Sequence, residues 1–519
     1  MPFEGARFFA LLQILEGKMY PIVNSQEMKT YDSNTIQYFG VPSLVLMERA
    51  ALACVEVIEA RISKGRVLIV AGVGNNGGDG IAIGRILHTR GYDVEIALIG
   101  KREKLSDETK TQETIAKAYG IAFIEKISLK TYDVIVDSLF GIGMNRNVEG
   151  IYKETIEVIN QMNGFILSVD MPSGIHTDTG CVLGCGVKAD CTVTFAFKKL
   201  GLVLYPGTEY AGEVVVSDIG ITEESFLDCQ PDAFGMTKKD VAACLVPRKN
   251  RSNKGSYGRI VVVAGSINMA GAAYFAGLAA YRGGAGLVEI VTCEENRTIL
   301  QERLPAAVLT TYTDNYMEVL KSAMKRATVL VAGPGMGMSQ RTEDMTQYIL
   351  EYAEVPVILD ADSINVLANH VEWLREKRCP LVLTPHLKEF AKLLGKETKK
   401  VVSNYVEEAR EFAAQYNVVL VAKDARTVVA KSDKSYYINE YGNNGMAVGG
   451  SGDTLTGLIG ALVAQGTDMF LSAAAGVSIH AMAGDIAVAS VGEDSLMPED
   501  ILRAVPQIFI ELRRSAEKS

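Results

Sequence analysis

Nearly continuous runs of valine, isoleucine and leucine recur along the chain and alternate with segments of helix length. Each run ends in glycine or a polar turn, as in RVLIVAG (66–72), YDVIVDSLFG (132–141) and ATVLVAGPG (327–335). This composition is typical of strands buried on both faces, which belong to parallel sheets with crossover helices. The pattern therefore predicts an α/β fold, with ligands bound at the carboxyl ends of the strands, where polar residues cluster.

The length of the chain predicts more than one domain. A single hydrophobic core stops growing well before 519 residues. The polar, Pro- and Gly-containing segment around Pro231 is the expected boundary, which divides the chain into residues 20–230 and 231–519. Residues 1–19 are expected to be a leader or an upstream extension, with Met19 as the alternative start.

Charge and composition exclude several classes of function. The net charge of −10 disfavours nucleic-acid binding, which needs a basic face. Eight cysteines in 519 residues do not make a disulfide framework, and five histidines argue against a multi-histidine metal centre. No apolar run reaches the roughly 18 residues of a membrane span, and no secretory signal is recognised. We therefore expect a cytoplasmic protein that binds neither membrane nor nucleic acid.

The loop GVGNNGGDG (72–80) contains the spacing G-x-G-x-x-G after a strand and before a helix. A dinucleotide-binding fold also places an acid at the end of the next strand, but DVEIALIG (93–100) is followed by Lys101 and Arg102. Asn75 and Asn76 supply amide oxygens, and carboxylates follow two further strands at Asp137 and Asp170. Together these oxygens favour a hard-cation site, although each aspartate alone is also compatible with a helix cap or turn.

A second glycine-rich loop, GGSG (449–452), precedes Asp453 and an apolar helix. Backbone N–H groups at a helix N-terminus form an anion hole suited to a phosphoryl group in transfer. Asp453 lies at its mouth, where a carboxylate can accept a proton from an attacking hydroxyl. Because aspartate is also a preferred N-cap, a capping role remains the alternative.

The first half resembles the amino-terminal epimerase domain of the NAD(P)H-hydrate repair enzymes. NNGGDG, DSLFGIGMNR, VDMPSGIHTDTG and ADCTVTFAFKKLGL carry this resemblance over roughly residues 20–225. It implies a Rossmann-like three-layer domain that inverts C6 of hydrated NADH or NADPH, with Asp170 as our candidate acid/base group. It further implies a K⁺ ion held by Asn76, Asp137 and Ser173. The substrate contacts implied are Asn75, Asn76, Gly77, Gly78, Asp79, Gly141, Ile142, Gly143, Met144, Asn145, Arg146 and Asn147.

The second half resembles the ribokinase-like superfamily and, more specifically, the dehydratase domain of the same repair enzymes. NKGSYGRIVVVAGS, AGPGMG, ILDADSINVL, LTPHLKEFAKLL and the GGSGD loop carry the resemblance over residues 236–510. It implies that Ala272, Gly337, His386 and Asp453 contact the hydrated nicotinamide nucleotide. The adenine-nucleotide contacts implied are Lys423, Asp424, Ala425, Arg426, Thr427 and Gly452.

One position departs from the family pattern. Asp424 follows Lys423 where these enzymes usually have glycine, and a carboxylate beside a phosphate is unfavourable unless it points away or meets a cation. Asp360 and Asp362 in LDADS are candidates for metal or substrate contact, with capping as the alternative.

The leading hypothesis is a two-activity repair enzyme. Its first domain interconverts the R and S hydrates, and its second dehydrates the S form with Mg²⁺ and ADP or ATP. We expect its partners to be NAD(P)HX (hydrated NADH or NADPH), ADP or ATP, and further copies of itself in a homo-oligomer. The alternatives are a small-molecule kinase fused to a Rossmann-like domain, and a non-catalytic nucleotide-binding or scaffold protein.

Overall fold

The structure is a computed structural model that describes residues 19–124, 127 and 129–517. The chain forms two compact units, one of Pro21–Asp232 and one of Ala233–Ser519 together with Met1–Tyr20. The leader expected over residues 1–19 lies outside the described residues, apart from Met19.

The described residues of the first unit form nine strands and seven α-helices. The strands are β1 (Tyr20–Val23), β2 (Arg66–Ala71), β3 (Asp93–Leu98), β4 (Ala122–Ile124), β5 (Val134–Ser138), β6 (Phe165–Val169), β7 (Cys191–Phe195), β8 (Lys198–Lys199) and β9 (Glu213–Ser217). The helices are α1 (Ser25–Gln37), α2 (Ser43–Glu59), α3 (Asn75–Thr89), α4 (Asp107–Ala118), α5 (Gly150–Ile159), α6 (Leu200–Val203) and α7 (Thr208–Ala211).

Seven of these strands form a parallel sheet in the order β4-β3-β2-β5-β6-β7-β9. Alternate residues of β2 enter two separate cores: Ile69 packs with the residues of α2 and α3, whereas Leu68 packs with those of α5. Because successive side chains of a strand point to opposite faces, helices cover the sheet on both sides. The predicted three-layer Rossmann-like unit is confirmed.

In the second unit, the part that the structure describes forms ten strands and thirteen α-helices. The strands are β10 (Ala233–Gly235), β11 (Arg259–Val263), β12 (Leu287–Cys293), β13 (Val308–Tyr312), β14 (Val329–Ala332), β15 (Val357–Leu359), β16 (Leu381–Leu383), β17 (Val419–Ala422), β18 (Val428–Ala430) and β19 (Tyr436–Ile438). The helices are α8 (Lys238–Ala243), α9 (Ala270–Arg282), α10 (Arg297–Arg303), α11 (Tyr316–Met324), α12 (Gln340–Tyr352), α13 (Ala361–Leu367), α14 (Trp373–Glu376), α15 (Leu387–Leu393), α16 (Thr398–Val402), α17 (Tyr405–Tyr416), α18 (Ser451–Ala464), α19 (Met469–Val491) and α20 (Pro498–Glu517).

The strands of this unit follow the order β13-β12-β11-β14-β15-β16-β17-β18-β19-β10. Pairing is parallel from β13 to β17 and antiparallel through β18 and β19. The apolar helices α9, α18 and α19 contribute to one core with the sheet. Gly457 permits the close approach of α18 to α9, since a Cβ there would lie 2.2 Å from the Ala276 carbonyl oxygen.

Helix α19 is one element that the apolar runs did not predict correctly. Among the described residues it alone is long and apolar enough to cross a bilayer, although no such segment was expected. Of its apolar window, 67% is buried inside the protein. Its alanines and glycines pack within the core of the unit, as in the central helix of many globular domains.

Candidate active sites

A cavity of about 710 Å³ lies at the carboxyl ends of β2, β5 and β6 in the first unit. The structure brings three segments together here that are far apart in the sequence: the start of α3, the loop after β5 and the residue after β6. The predicted substrate residues that line the cavity are Asn75, Asn76, Asp79, Gly141, Ile142, Gly143, Met144, Asn145, Arg146 and Asn147, together with Asp170.

Gly77 and Gly78 do not line this cavity, although the resemblance assigned them to the substrate. Both are buried in the first turn of α3. A Cβ at Gly77 would lie 1.9 Å from the Gly72 carbonyl oxygen, and one at Gly78 would lie 2.7 Å from Cε of Met47. The glycines of this loop therefore allow close packing of the helix.

Asp170 is held in place by a buried lysine that the sequence analysis did not single out. The side chain of Lys199 is 1% exposed, and its Nζ donates to Asp170 Oδ1 at 2.6 Å and to the Phe195 carbonyl oxygen at 2.8 Å. Burial lowers the pKa of Lys199, and the Asp170 carboxylate opposes that shift. Asp170 itself has φ of +66°, a strained conformation for a non-glycine residue. The ion pair therefore fixes a carboxylate at the wall of the cavity.

Asp79 is a second carboxyl group of the same cavity, and its environment differs from that of Asp170. Burial, and then the negative charges of Asp170 and Asp32, raise the pKa of Asp79 well above its ordinary value. This shift favours the protonated form of Asp79, which can donate a hydrogen bond. Carboxyl groups in environments that separate their protonation states can divide acid and base roles.

Of the three residues proposed to hold K⁺, Asn76 lines the cavity, whereas Asp137 and Ser173 are buried and hydrogen-bonded to each other. Asp137 is fully buried and accepts hydrogen bonds from Ser173 Oγ at 2.6 Å and the Ser173 amide at 2.9 Å. Burial raises the pKa of Asp137, and these hydrogen bonds oppose the shift. The Asn76 Nδ2 atom is buried without a hydrogen-bond partner, and the side chain faces Gly141, next to the turn that contacts Ser173.

This donor set fits a monovalent cation. Carboxylate, amide and hydroxyl oxygens are hard ligands. No group of three His, Cys, Asp or Glu side chains able to hold a metal occurs in the described part of the chain.

The second unit places an ion pair at the carboxyl edge of its sheet. Asp360 follows β15, Lys423 follows β17, and Lys423 Nζ lies 2.8 Å from Asp360 Oδ1. Thr456 of α18 donates from Oγ1 to Asp360 Oδ2 at 2.7 Å. Although burial favours the neutral acid, Lys423 and Thr456 outweigh it and lower the pKa of Asp360. The pair thus links two strand ends to the N-terminal part of α18.

Asp453 lies in the first turn of α18 next to this pair. The N-cap of the helix is Gly450, with φ of +93°, and no side chain caps the helix. Asp453 is the third helical residue, so the alternative of an N-cap aspartate does not apply. Burial and the charge of Asp360 raise the pKa of Asp453 to about 7, against the opposing charge of Lys423. A carboxylate with this pKa is suited to accept a proton near neutral pH.

The residues implied to contact the hydrated nucleotide lie on neighbouring loops of the same edge. Gly337 follows β14, and its amide donates to Asp362 Oδ2 at 2.8 Å. Ala272 of α9 packs against the loop after β14, since a Cβ at Gly335 would lie 2.7 Å from its Cβ. His386 accepts hydrogen bonds at Nδ1 as the N-cap of α15, yet its side chain remains 52% exposed. Burial and Lys423 lower the pKa of His386.

The residues implied to contact the adenine nucleotide lie on two adjacent segments. Residues 423–427 form the loop between β17 and β18. Gly452 faces Lys423, because a Cβ there would lie 3.2 Å from Lys423 Nζ. The carboxylate-bearing Asp424 and the neighbouring Ala425 are exposed, whereas Arg426 and Thr427 are partly buried. The Asp424 side chain is therefore accessible to solvent.

Sequence reasoning missed two residues of these sites. Lys199 lies in the apolar stretch TVTFAFKKLGL, and a lysine inside such a stretch was the available signal. Asp32, which lies on α1, raises the pKa of Asp79. Nothing in the sequence around Asp32 indicated this role.

Comparisons with known proteins cover both units. Residues 43–201 match the family described as YjeF-related protein N-terminus, and residues 260–507 match NAD(P)H-hydrate dehydratase. A relative from Moorella thermoacetica, named bifunctional NAD(P)H-hydrate repair enzyme Nnr, is 34% identical and covers 96% of this chain and 98% of its own. A relative of the same name from Coxiella burnetii is 36% identical over 89% of this chain and 94% of its own.

The fold of the second unit also matches a solved structure. A ribokinase-like superfamily protein from Enterococcus faecalis V583 aligns with a TM-score of 0.50 at 24% identity, over 54% of this chain and 96% of its own. This likeness confirms the predicted ribokinase-like fold. With both family matches in order and relatives aligned over nearly the whole length, this chain belongs to the bifunctional NAD(P)H-hydrate repair enzyme family.

Proposed function

We propose that this protein repairs hydrated NADH and NADPH through an epimerase domain (residues 20–230) and an ADP- or ATP-dependent dehydratase domain (residues 231–519). Asp453 supports this function most directly, because a carboxyl group with a pKa of about 7 lies at a helix N-terminus beside the Lys423–Asp360 pair. Proton acceptance and phosphate binding are thus available at one place. The names of the aligned relatives supply the substrate.

In the dehydratase domain, Asp453 removes the proton from the C6 hydroxyl of the S hydrate. The resulting oxygen attacks the terminal phosphate of ADP or ATP, which enters as its Mg²⁺ complex. The phosphorylated oxygen then leaves C6 with its bonding electron pair. The ring nitrogen supplies electrons, and loss of the C5 proton restores NADH or NADPH. The N–H groups of Gly450 and Gly452 at the start of α18 and the Lys423 ammonium bind the transferring phosphoryl group.

In the epimerase domain, Asp79 and Asp170 have different roles. Asp79, whose pKa is raised by burial and neighbouring carboxylates, donates its proton to the departing C6 hydroxyl, which leaves as water while the ring nitrogen forms a double bond to C6. Water returns to the opposite face, and Asp170 accepts its proton. Lys199 orients Asp170 throughout. If the ring opens and closes instead, the same two groups supply and remove the protons.

The cations have separate places in this scheme. We propose that Asn76, Asp137 and Ser173 hold K⁺, which neutralises the buried carboxylate and orders the loop after β5. Mg²⁺ arrives with the nucleotide phosphates, since this ion is commonly bound through substrate phosphates and few protein ligands. All eight cysteines are free, as expected in the reducing cytoplasm, where we place the enzyme as a homo-oligomer.

A kinase of the ribokinase-like class is the second candidate. The fold of the second unit and the Gly-rich loop are compatible with it. However, a plain kinase gives no role to the cavity with Asp79, Asp170 and Lys199 in the first unit. We therefore favour the repair enzyme.

One assay separates these functions. A mixture of R and S hydrated NADH is incubated with the protein and either ADP or ATP, and the absorbance of reduced nicotinamide is followed. Complete recovery is expected. Failure to recover any NADH with either nucleotide would overturn the dehydratase assignment, whereas recovery that stops at the S fraction would overturn the epimerase assignment.

A further inference from the structure

A groove of about 480 Å³ opens in the second unit beside the proposed dehydratase site. Its walls come from the loop after β14 and from helices α13 and α15, with one further stretch after α13. The residues that line it are Met338, Asn365, Ala368, Asn369 and Lys392. Asn365 and Lys392 lie within the motifs ILDADSINVL and LTPHLKEFAKLL, but none of the five is among the site residues assigned above.

The groove is continuous with the residues assigned to the hydrated nucleotide. Met338 directly follows Gly337, and the Gly337 amide is bound by Asp362 of α13, the helix that carries Asn365. Lys392 belongs to α15, which begins at the N-cap His386. A ligand that contacts Gly337 therefore has Met338 and α13 of this groove next to it.

The chemistry of the groove suits a nucleotide with a phosphate. Lys392 is the charged residue of the lining, and its Nζ is held by Asn365 Oδ1 at 2.9 Å. No carboxylate of the described residues lies within ion-pair distance of Lys392, so its positive charge is available to an anion. Met338 is 59% exposed and offers a polarizable apolar surface on which a purine can lie.

The adenine nucleotide, which is the second substrate of the dehydratase, does not compete for the groove. The adenine nucleotide is assigned to the loop after β17 and to Gly452. The hydrated dinucleotide must present its C6 hydroxyl to Asp453, and its adenosine half needs a separate surface. The groove is adjacent to Gly337 and His386 and contains a cation without a carboxylate partner.

We propose that this groove binds the phosphate-bearing adenosine half of the hydrated dinucleotide, with Lys392 in contact with a phosphate group. This inference rests on the proposed dehydratase function. The phosphate is either the pyrophosphate, shared by both substrates, or the 2′-phosphate, present only in hydrated NADPH.

The test compares Lys392→Ala with Lys399→Ala in the full-length protein. Lys399 is an exposed lysine of the nearby helix α16, outside the groove, and its loss changes the net charge equally. For Lys392→Ala we expect KM for hydrated NADPH to rise about tenfold, because one charge-assisted contact with a phosphate is lost. The kcat and the KM for ADP should not change. Lys392→Arg keeps the charge and restores KM to within about twofold.

The outcomes distinguish binding of the pyrophosphate from binding of the 2′-phosphate. They also distinguish failure of this subsite from failure of the proposed dehydratase function. A rise in KM for both hydrated NADH and hydrated NADPH identifies the pyrophosphate, whereas a rise for hydrated NADPH alone identifies the 2′-phosphate. Equal KM values for Lys392→Ala and Lys399→Ala, in an active enzyme, overturn the subsite. A wild-type protein that dehydrates neither hydrate overturns the proposed function itself.

Discussion

Lys423 Nζ lies 2.8 Å from Asp360 Oδ1, and this ion pair joins the ends of β17 and β15 beside the first turn of α18. Its two charges act in opposite directions on Asp453: Asp360 raises the pKa of that carboxyl group and Lys423 lowers it. Burial adds to the effect of Asp360, and the resulting value is about 7. The ion pair thus helps to set the proton affinity of the proposed base.

Replacement of the proposed base should stop dehydration alone. We expect Asp453→Asn to reduce nucleotide-dependent formation of NADH by at least about 100-fold, because an amide cannot accept the hydroxyl proton. Epimerisation, measured by chromatography of the two hydrates, remains. Asp468→Asn, at the N-cap of α19, is the matched control and should be fully active. Near-wild-type dehydration by Asp453→Asn would show that another group is the base.

The dehydratase should lose activity as the pH falls through about 7. Because Asp453 must be ionised to act, kcat/KM should decrease about tenfold per pH unit below that value. Asp362→Asn removes a negative charge that raises the pKa of Asp453, so it should move the acidic limb to lower pH. An acidic limb that stays at the same pH in Asp362→Asn would contradict the assignment of Asp453 as the base. A limb near pH 4 in the wild-type enzyme, the usual range of aspartate, would also contradict it.

Loss of Lys199 should impair only the epimerase. Lys199→Met leaves Asp170 without its ion-pair partner, and we expect epimerisation to fall by about 100-fold or more. NADH recovery from mixed hydrates then stops at the S fraction. Removing one partner of a buried pair also destabilises a domain by about 3 kcal/mol, so circular dichroism must show that the variant is folded. Lys198→Met is the neighbouring control, and an equal loss in it would argue against a specific role for Lys199.

Potassium should stabilise the first unit through Asn76. A ligand at ten times its Kd adds about 1.4 kcal/mol to the free energy of unfolding. We expect the thermal midpoint of this unit to be higher in KCl than in tetramethylammonium chloride at equal ionic strength. Asn76→Ala should lose this difference, whereas the exposed control Asn163→Ala keeps it. Identical midpoints of the wild-type protein in both salts would exclude the K⁺ site.

Restoring the glycine of the family pattern should change little. Asp424 is exposed and does not have a positive φ, so neither charge nor backbone geometry requires glycine there. Because an exposed charge is screened by salt, we expect Asp424→Gly to alter KM for ADP by less than about threefold. A decrease of tenfold or more would show that the carboxylate opposes nucleotide binding.

Several site residues could be predicted because they follow directly from the chain. The strand ends at or before Asn75, Asp137 and Asp170 are visible as apolar runs that stop at polar residues, and Asp453 follows a glycine-rich loop. In parallel sheets such ends meet at one edge, so the cavity of the first unit follows from the pattern. Lys199 could not be predicted in this way, since its partner Asp170 lies 29 residues away on another strand end.

The sequence by itself determined the α/β class, the two sets of motifs and the family, because hydrophobic periodicity and short motifs are local properties. Only the tertiary structure decided which groups are charged. The pKa of Asp79 is raised, that of Asp453 is about 7, and that of Asp360 is lowered, although all three are aspartates after glycine or strand ends. Burial and neighbouring charges determine these differences, and both depend on residues brought together from distant parts of the chain.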